Sequence, residues 1–230
     1  MYPPSDAGQT PLTRKIIIQH AVSLADAEGL DALSMRKLAS RCGVEAMSLY
    51  NHVDNKDDVL NGMVESIIQK VHVPRADADW RQEMRTRALS AHALFLQHPW
   101  ASMLIVSRVN AGPNMFKWVD ATIGCLRAAG FSWAAADAAW NALDSFIHGF
   151  TLQRLNFPFK EGEYAQAAAA WLPSIPQDTL PHLHGMAREV AEERHSGIPD
   201  FTFGLDILLD GLERVLIENQ GFPLTGPTPS

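Results

Sequence analysis

Three groups of side chains in this 230-residue chain could do chemistry. Tyr50, Asn51 and His52 set a hydroxyl-bearing ring, an amide and an imidazole side by side, with Arg36 and Ser48 before them and Lys56 after. Such groups hydrogen-bond phosphate oxygens and base edges. A second group lies in "HLHGMAREVAEERH", where His182, His184, Glu189, Glu192, Glu193 and His195 have the composition of a metal site. A His-x-His across a helix start does not bring both rings to one helical face, and no HExxH accompanies it. A solvated mixed-charge helix is expected there, with no metal and no cofactor. The third group is apolar and polarisable: His92, Phe95, Leu96, Met103, Met115, Phe116, Trp118, Val119, Trp140 and Phe146. Methionine and tryptophan at this density suit a pliable ligand pocket, although an apolar helical stripe is more often plain core. The sequence holds no P-loop, GxGxxG, GxSxG or cysteine-centred nucleophile, so nothing argues for an enzyme.

The bulk composition bounds what can position these groups. At 47% hydrophobic and 20% charged, the chain is expected to fold around a packed core. No apolar run approaches the roughly 20 residues that span a bilayer, so no membrane partner is expected. "MYPPSDAGQT" has neither the basic start nor the apolar stretch of a secretory signal. Cys42 and Cys125 form no CxxC or disulfide framework, and a reducing cytoplasm is the expected compartment. The net charge is −7, yet residues 1–56 hold six Lys/Arg and six Asp/Glu, so the whole excess falls on the remainder. A neutral head on an acidic body can bind DNA through a few placed cations while avoiding broad non-specific association.

Periodicity predicts an all-α protein. Thr13 caps a first helix whose inner stripe is Ile17, Ala21, Leu24 and Ala25, and Gly29 stops it. Ser34 caps a second helix through Cys42, and Gly43 can supply a left-handed turn. A third short helix is expected from Glu45 to Asn51. Asn55 caps a fourth, with Asp57 and Asp58 in its first turn, Val59, Met63, Ile67 and Val71 facing inward, and Pro74 ending it. Further helices are expected at about 80–97, 99–108, 114–129, 133–156, 161–171, 178–194 and 201–219, punctuated by prolines. Those at 133–156 and 201–219 are apolar on more than one side. They are therefore either deeply buried in the monomer or, the reading preferred here, the interface of a homodimer.

Three helices, a glycine turn and the small Ala39 four positions before Gly43 describe a helix-turn-helix. Leu38, Cys42, Val44 and Leu49 would be its buried contacts. Ala46, Met47, Ser48, Tyr50, Asn51 and His52 remain around the outside of a helix able to enter the major groove. "ALSMRKLASRCGVEAMSLYNHVDNKDDVL" resembles the helix-turn-helix of the TetR family of bacterial repressors, matching at Gly43, Val44, Leu49, Tyr50, His52, Val53, Asn55 and Lys56. "AAGFSWAAADAAWNALDSFIHGFTLQ" and "FTFGLDILLDGLERVL" are similar to the two dimerisation helices of a tetracycline-repressor-like ligand domain.

The resemblance implies a DNA-binding domain at 13–57, a ligand-binding and dimerisation domain at 58–219, and flexible tails at 1–12 and 220–230. Arg36 would contact phosphate or a base, and Ala46, Met47 and Ser48 would face bases. Tyr50 and His52 would hold phosphates, Lys56 would clamp the backbone, and Asn51 could do either. The partners implied are double-stranded, palindromic operator DNA and a small-molecule effector that moves the fourth helix and spreads the two heads. His92, Phe95, Met103, Met115, Trp118, Trp140 and Phe146 would line the effector pocket. Drug-binding members hold a magnesium–tetracycline chelate with a histidine and a glutamate, whose places fall near Val106 to Arg108 and Asn156. Neither offers that ligand, so a more apolar effector is expected. His148 lies in the 133–156 helix with no partner legible in the sequence. The alternative is a helical small-molecule-binding or scaffold protein whose DNA head is weakened, which the sparse positive charge would favour.

Overall fold

The computed structural model describes residues 11–160 and 162–221, so the expected tails fall almost wholly outside the described residues. Every regular element among those residues is helical, as the periodicity predicts. Thr13 Oγ1 accepts the Ile16 N–H at 3.3 Å and opens α1 (Arg14–Glu28). Ser34 Oγ accepts the Lys37 N–H at 3.2 Å and opens α2 (Met35–Cys42). Gly43 closes α2 at φ +71°, ψ +28°, a left-handed turn that costs a residue with a Cβ more than it costs glycine. The third helix, α3 (Ala46–Leu49), is shorter than the Glu45–Asn51 expected. Tyr50 N–H donates to the Met47 carbonyl at 3.3 Å and His52 N–H to the Leu49 carbonyl at 2.9 Å, tighter three-residue turns that end the helix, and Val53 beyond them is buried. Asn55 Oδ1 accepts the Asp58 N–H at 2.9 Å and starts α4 (Lys56–Ile68).

These four helices interlock through completely buried side chains: Ile17, Ala21 and Leu24 of α1, Leu38 of α2, Leu49 of α3, and Val59 and Met63 of α4. α1 crosses α4 at Gly62, where a Cβ would come within 2.5 Å of Ile18 Cδ1, so any larger residue there would require the Ile18 side chain to shift.

Seven further helices follow: α5 (Trp80–Gln97), α6 (Pro99–Val106), α7 (Pro113–Ala128), α8 (Trp133–Leu155), α9 (Glu163–Trp171), α10 (Pro181–Ala191) and α11 (Phe201–Gly221). Proline occupies the first position of α6, α7 and α10, where its missing N–H is no loss. α5 packs on α8, α8 also packs on α7 and α11, and α9 pairs with α10. Met84, Ala88, Ala91 and Phe95 of α5, Leu126 of α7, Leu143 and Ile147 of α8, and Leu205 and Leu209 of α11 form the centre. One continuous apolar core joins this bundle to the first four helices, with Ile67 and Ile68 of α4 inside it.

α11 does have two apolar faces. Leu205, Leu209, Leu212 and Leu216 point into the bundle, whereas Phe203, Ile207 and Ile217 are 68%, 58% and 64% exposed. Trp133 at the start of α8 is 71% exposed. Burial within one subunit therefore does not account for the second face. Among the described residues no helix is long and apolar enough to cross a membrane. The histidine-rich stretch falls on α10 and its end. There the His184 ring lies 2.8 Å from the Ile175 carbonyl, Arg194 pairs with Glu189 at 2.8 Å, and no three metal-ligating side chains gather among the described residues.

Candidate functional site

The outer surface of α3 is built by what lies beneath it. Leu49 is fully buried and Ala46 and Ser48 are half-buried, which turns Met47 outward at 75% exposure and Tyr50 at 45%. Asn51, His52, Lys56 and, on α2, Arg36 are exposed as well. Among the described residues none of Arg36, Tyr50, Asn51, His52 or Lys56 is tied into a side-chain hydrogen bond or ion pair within the protein. Neighbouring cations are not free in the same way: Lys37 and Arg41 both pair with Glu28. The free donors thus flank Met47, the exposed apolar side chain of α3, in sequence, whereas Ala46, expected outside, packs partly against the core. That arrangement can hydrogen-bond a phosphate backbone while setting methyl and thioether groups against bases.

Three polar links tie this head to the bundle. Asp26 Oδ1 of α1 accepts from Trp100 Nε1 at 2.7 Å and lies 2.8 Å from His98 Nδ1, at the start of α6. Arg108, just after α6, donates to Asp57 at 3.0 Å and Asn61 at 3.3 Å. The Glu65 carboxylate of α4 accepts the backbone N–H groups of Asn114 and Met115 at 2.8 and 3.0 Å. It thereby satisfies two of the orphan donors at the positive end of α7. None of these links is legible from spacing, because the partners are far apart in sequence and their side chains are ordinary surface types.

Between α6, α7 and α8 opens a cavity of about 580 Å³. Met115, Trp118 and Trp140 of the expected pocket residues line it, as do Phe116 and Val119. His92, Phe95, Met103 and Phe146 lie elsewhere. His92 stacks on Phe201 at 4.0 Å between ring centroids, in an aromatic cluster that also takes in Phe146 and Phe150. Phe95 is fully buried with its ring against the far side of His148, 5.0 Å between centroids. Met103 is 51% exposed on the outside of α6. All four follow the apolar stripe of their helices, but only the packing determines which stripe borders a void. Val106 lines the cavity, while Arg108 is engaged with Asp57.

Asn110, Asp144 and His148 make up much of the cavity's polar wall, and the sequence reading assigned no role to any of them. Asp144 accepts from Arg87 Nη2 at 2.6 Å and Trp140 Nε1 at 2.7 Å. The fully buried Arg87 also donates to Thr122 Oγ1 at 3.0 Å and lies 4.1 Å from the Trp118 ring centre. One carboxylate and one aromatic face lie against its charge, while Nη1 is buried without a partner. His148 Nδ1 lies 2.8 Å from Ser102 Oγ, and burial holds this imidazole's pKa below its ordinary value. The indole N–H of Trp118 and Asn110 Oδ1 are buried without a partner.

Comparison with known proteins finds matches for both parts of the chain. Residues 17–63 match the model of bacterial regulatory proteins, tetR family, and residues 73–216 match the tetracyclin repressor-like C-terminal domain. An HTH-type transcriptional regulator of Saccharopolyspora erythraea is 37% identical over 60% of this chain, the aligned part spanning 59% of that protein's length. The tetracycline repressor protein class E of Escherichia coli is 30% identical over 88% of this chain and 95% of its own. Apo ActR from Streptomyces coelicolor superposes with a TM-score of 0.78 at 29% identity, covering 91% of this chain and 99% of its own. ActR has also been solved in complex with actinorhodin, TM-score 0.74. With family models matching the head and most of the bundle, the chain belongs to the tetR family of bacterial regulatory proteins.

Proposed function

We propose that this regulator is a repressor that binds a palindromic operator as a homodimer and is released by a small, largely apolar effector. The observation that carries the reading is the shared use of α6 and α7. They wall the cavity on one side, and on the other they hold α4 through Arg108 and Glu65. A compound that binds better when these walls are displaced favours a second position of α4, and with it a second separation of the two heads. Tyr50, His52, Lys56 and Arg36 would hold phosphates, with Ala46, Met47, Ser48 and Asn51 nearest the bases. Domain limits at about residues 13–57 and 58–219 fit this division of labour. The relative solved with actinorhodin supports an effector role for the cavity, and the repressor relative supports the sign of regulation. The exposed Phe203 and Ile207 of α11, with Trp133 of α8, supply the second apolar face that a dimer would bury.

Fluorescence anisotropy with DNA from directly upstream of the gene, against scrambled DNA at two salt concentrations, tests the reading. Tight, selective and salt-sensitive binding is expected. A protein that shows no selectivity there, and selects no sequence from a random pool, is instead the ligand-binding protein with a weakened head.

A further inference from the structure

Ser102 is completely buried, and among the described residues its hydroxyl has one partner, His148 Nδ1 at 2.8 Å. A buried hydroxyl proton needs an acceptor, so Ser102 donates and Nδ1 accepts. The ring is neutral at physiological pH because burial disfavours its charged form. Its single proton is therefore on Nε2. That atom has no protein partner among the described residues, and His148 keeps 9% of its surface open on the cavity it lines. Two further polar atoms of the lining residues, the Trp118 indole N–H and Asn110 Oδ1, are buried out of reach without a partner, so the donor that can meet a ligand is the histidine's. Of the carboxylates in this wall, Asp144 already accepts from Arg87 and Trp140, and the exposed Asp120 at the cavity's edge disfavours an anion.

Taking the cavity as the effector site, we infer that the effector is an uncharged, planar aromatic compound carrying a carbonyl-type oxygen that accepts from His148 Nε2–H. Trp118, Trp140 and Phe116 supply the aromatic surface, and the neutral His148 donor selects the oxygen. Ser102, reaching across from α6, holds the histidine in the donating tautomer, which makes it a positioning residue for recognition.

Fluorenone and fluorene share one tricyclic skeleton with and without the carbonyl, and equilibrium dialysis against the full chain compares them directly. A cavity without a donor favours fluorene, because the carbonyl must be stripped of water for nothing. The expected result is fluorenone bound roughly tenfold more tightly, falling to about equal binding in His148→Phe. Fluorene bound as well as fluorenone in the unmodified protein overturns the inference and leaves the cavity as an effector site. A preference unchanged in His148→Phe also overturns it. Binding of neither compound removes the cavity reading and the inference together. The comparison in the unmodified protein decides even where His148→Phe fails to fold.

Discussion

Lys56 and Tyr50, like Arg36 and His52, are exposed and free of side-chain partners among the described residues. Replacing Lys56 with alanine is expected to weaken binding on all operator variants alike and to lower the salt slope by about one counterion. Tyr50→Ala should weaken binding with little change in base preference. Anisotropy titrations across a salt series read both, and unchanged affinity in the two variants would sink the docking scheme. Arg14 and Asp58 make a different kind of contact, within the head. Arg14 Nη2 donates to Asp58 at 2.7 Å, and the guanidinium is the main reason the carboxyl lies below its ordinary pKa. A lowered folded-state value means the pair stabilises fully above the unfolded carboxylate value of about 3.9 and is lost as pH falls through the lower folded one. Arg14 is half exposed, so screening leaves about 0.5 kcal/mol at neutral pH. Arg14→Ala should melt slightly lower than the parent at pH 7 and converge with it in acid, as thermal unfolding at several pH values would show.

At the scale of elements, α4 packs on α1 at one side and on α6 and α7 at the other, so its contact with α1 joins the head to the bundle. Gly62→Ala would press a methyl to 2.5 Å from Ile18 Cδ1, deep in the contact. A destabilisation of about 1–3 kcal/mol is expected from this overpacking, visible as a lower melting temperature. Operator affinity should fall further than the loss of folded protein explains, because the crossing itself is altered. A variant as stable as the parent would show that α1 can shift at no cost. α3 teaches the converse lesson. At four residues it has too little hydrogen bonding to stand alone, and it is held by Leu49 and Val53 in the core of its neighbours.

For the whole molecule, symmetry decides whether two heads can reach two half-sites. Leu212 of α11 is 8% exposed in the subunit's own core, so a polar residue there would disturb the fold rather than report on a dimer. Ile207, 58% exposed on the opposite face of α11, is the cleaner site. Ile207→Glu is expected to give a folded monomer in light scattering, with operator affinity lost far beyond the change in stability. An unmodified protein that is monomeric at working concentration would refute the interface.

The helical class, the caps at Thr13, Ser34 and Asn55, the turn at Gly43 and the exposure of Met47, Tyr50, Asn51 and His52 were all legible in the sequence, whereas Ala46 and Ser48, expected outside, are half-buried. Each depends on residues a few positions apart, where backbone geometry converts spacing directly into direction. The limits of α3 and α10 were less legible, because tertiary contacts and irregular turns end them before their helical pattern does. The cavity was read only in part. Met115, Trp118 and Trp140 line it, whereas His92 and Phe146 belong to an aromatic cluster of the same composition. An apolar stripe records that a helix packs, not whether its neighbour fills the space. The pairing of Arg87 with Asp144, of Glu65 with the start of α7 and of Ser102 with His148 spans dozens of residues in each case. Local sequence carries no record of such partners, and only the closed fold, where an unmatched buried polar group is costly, decides which atoms must meet.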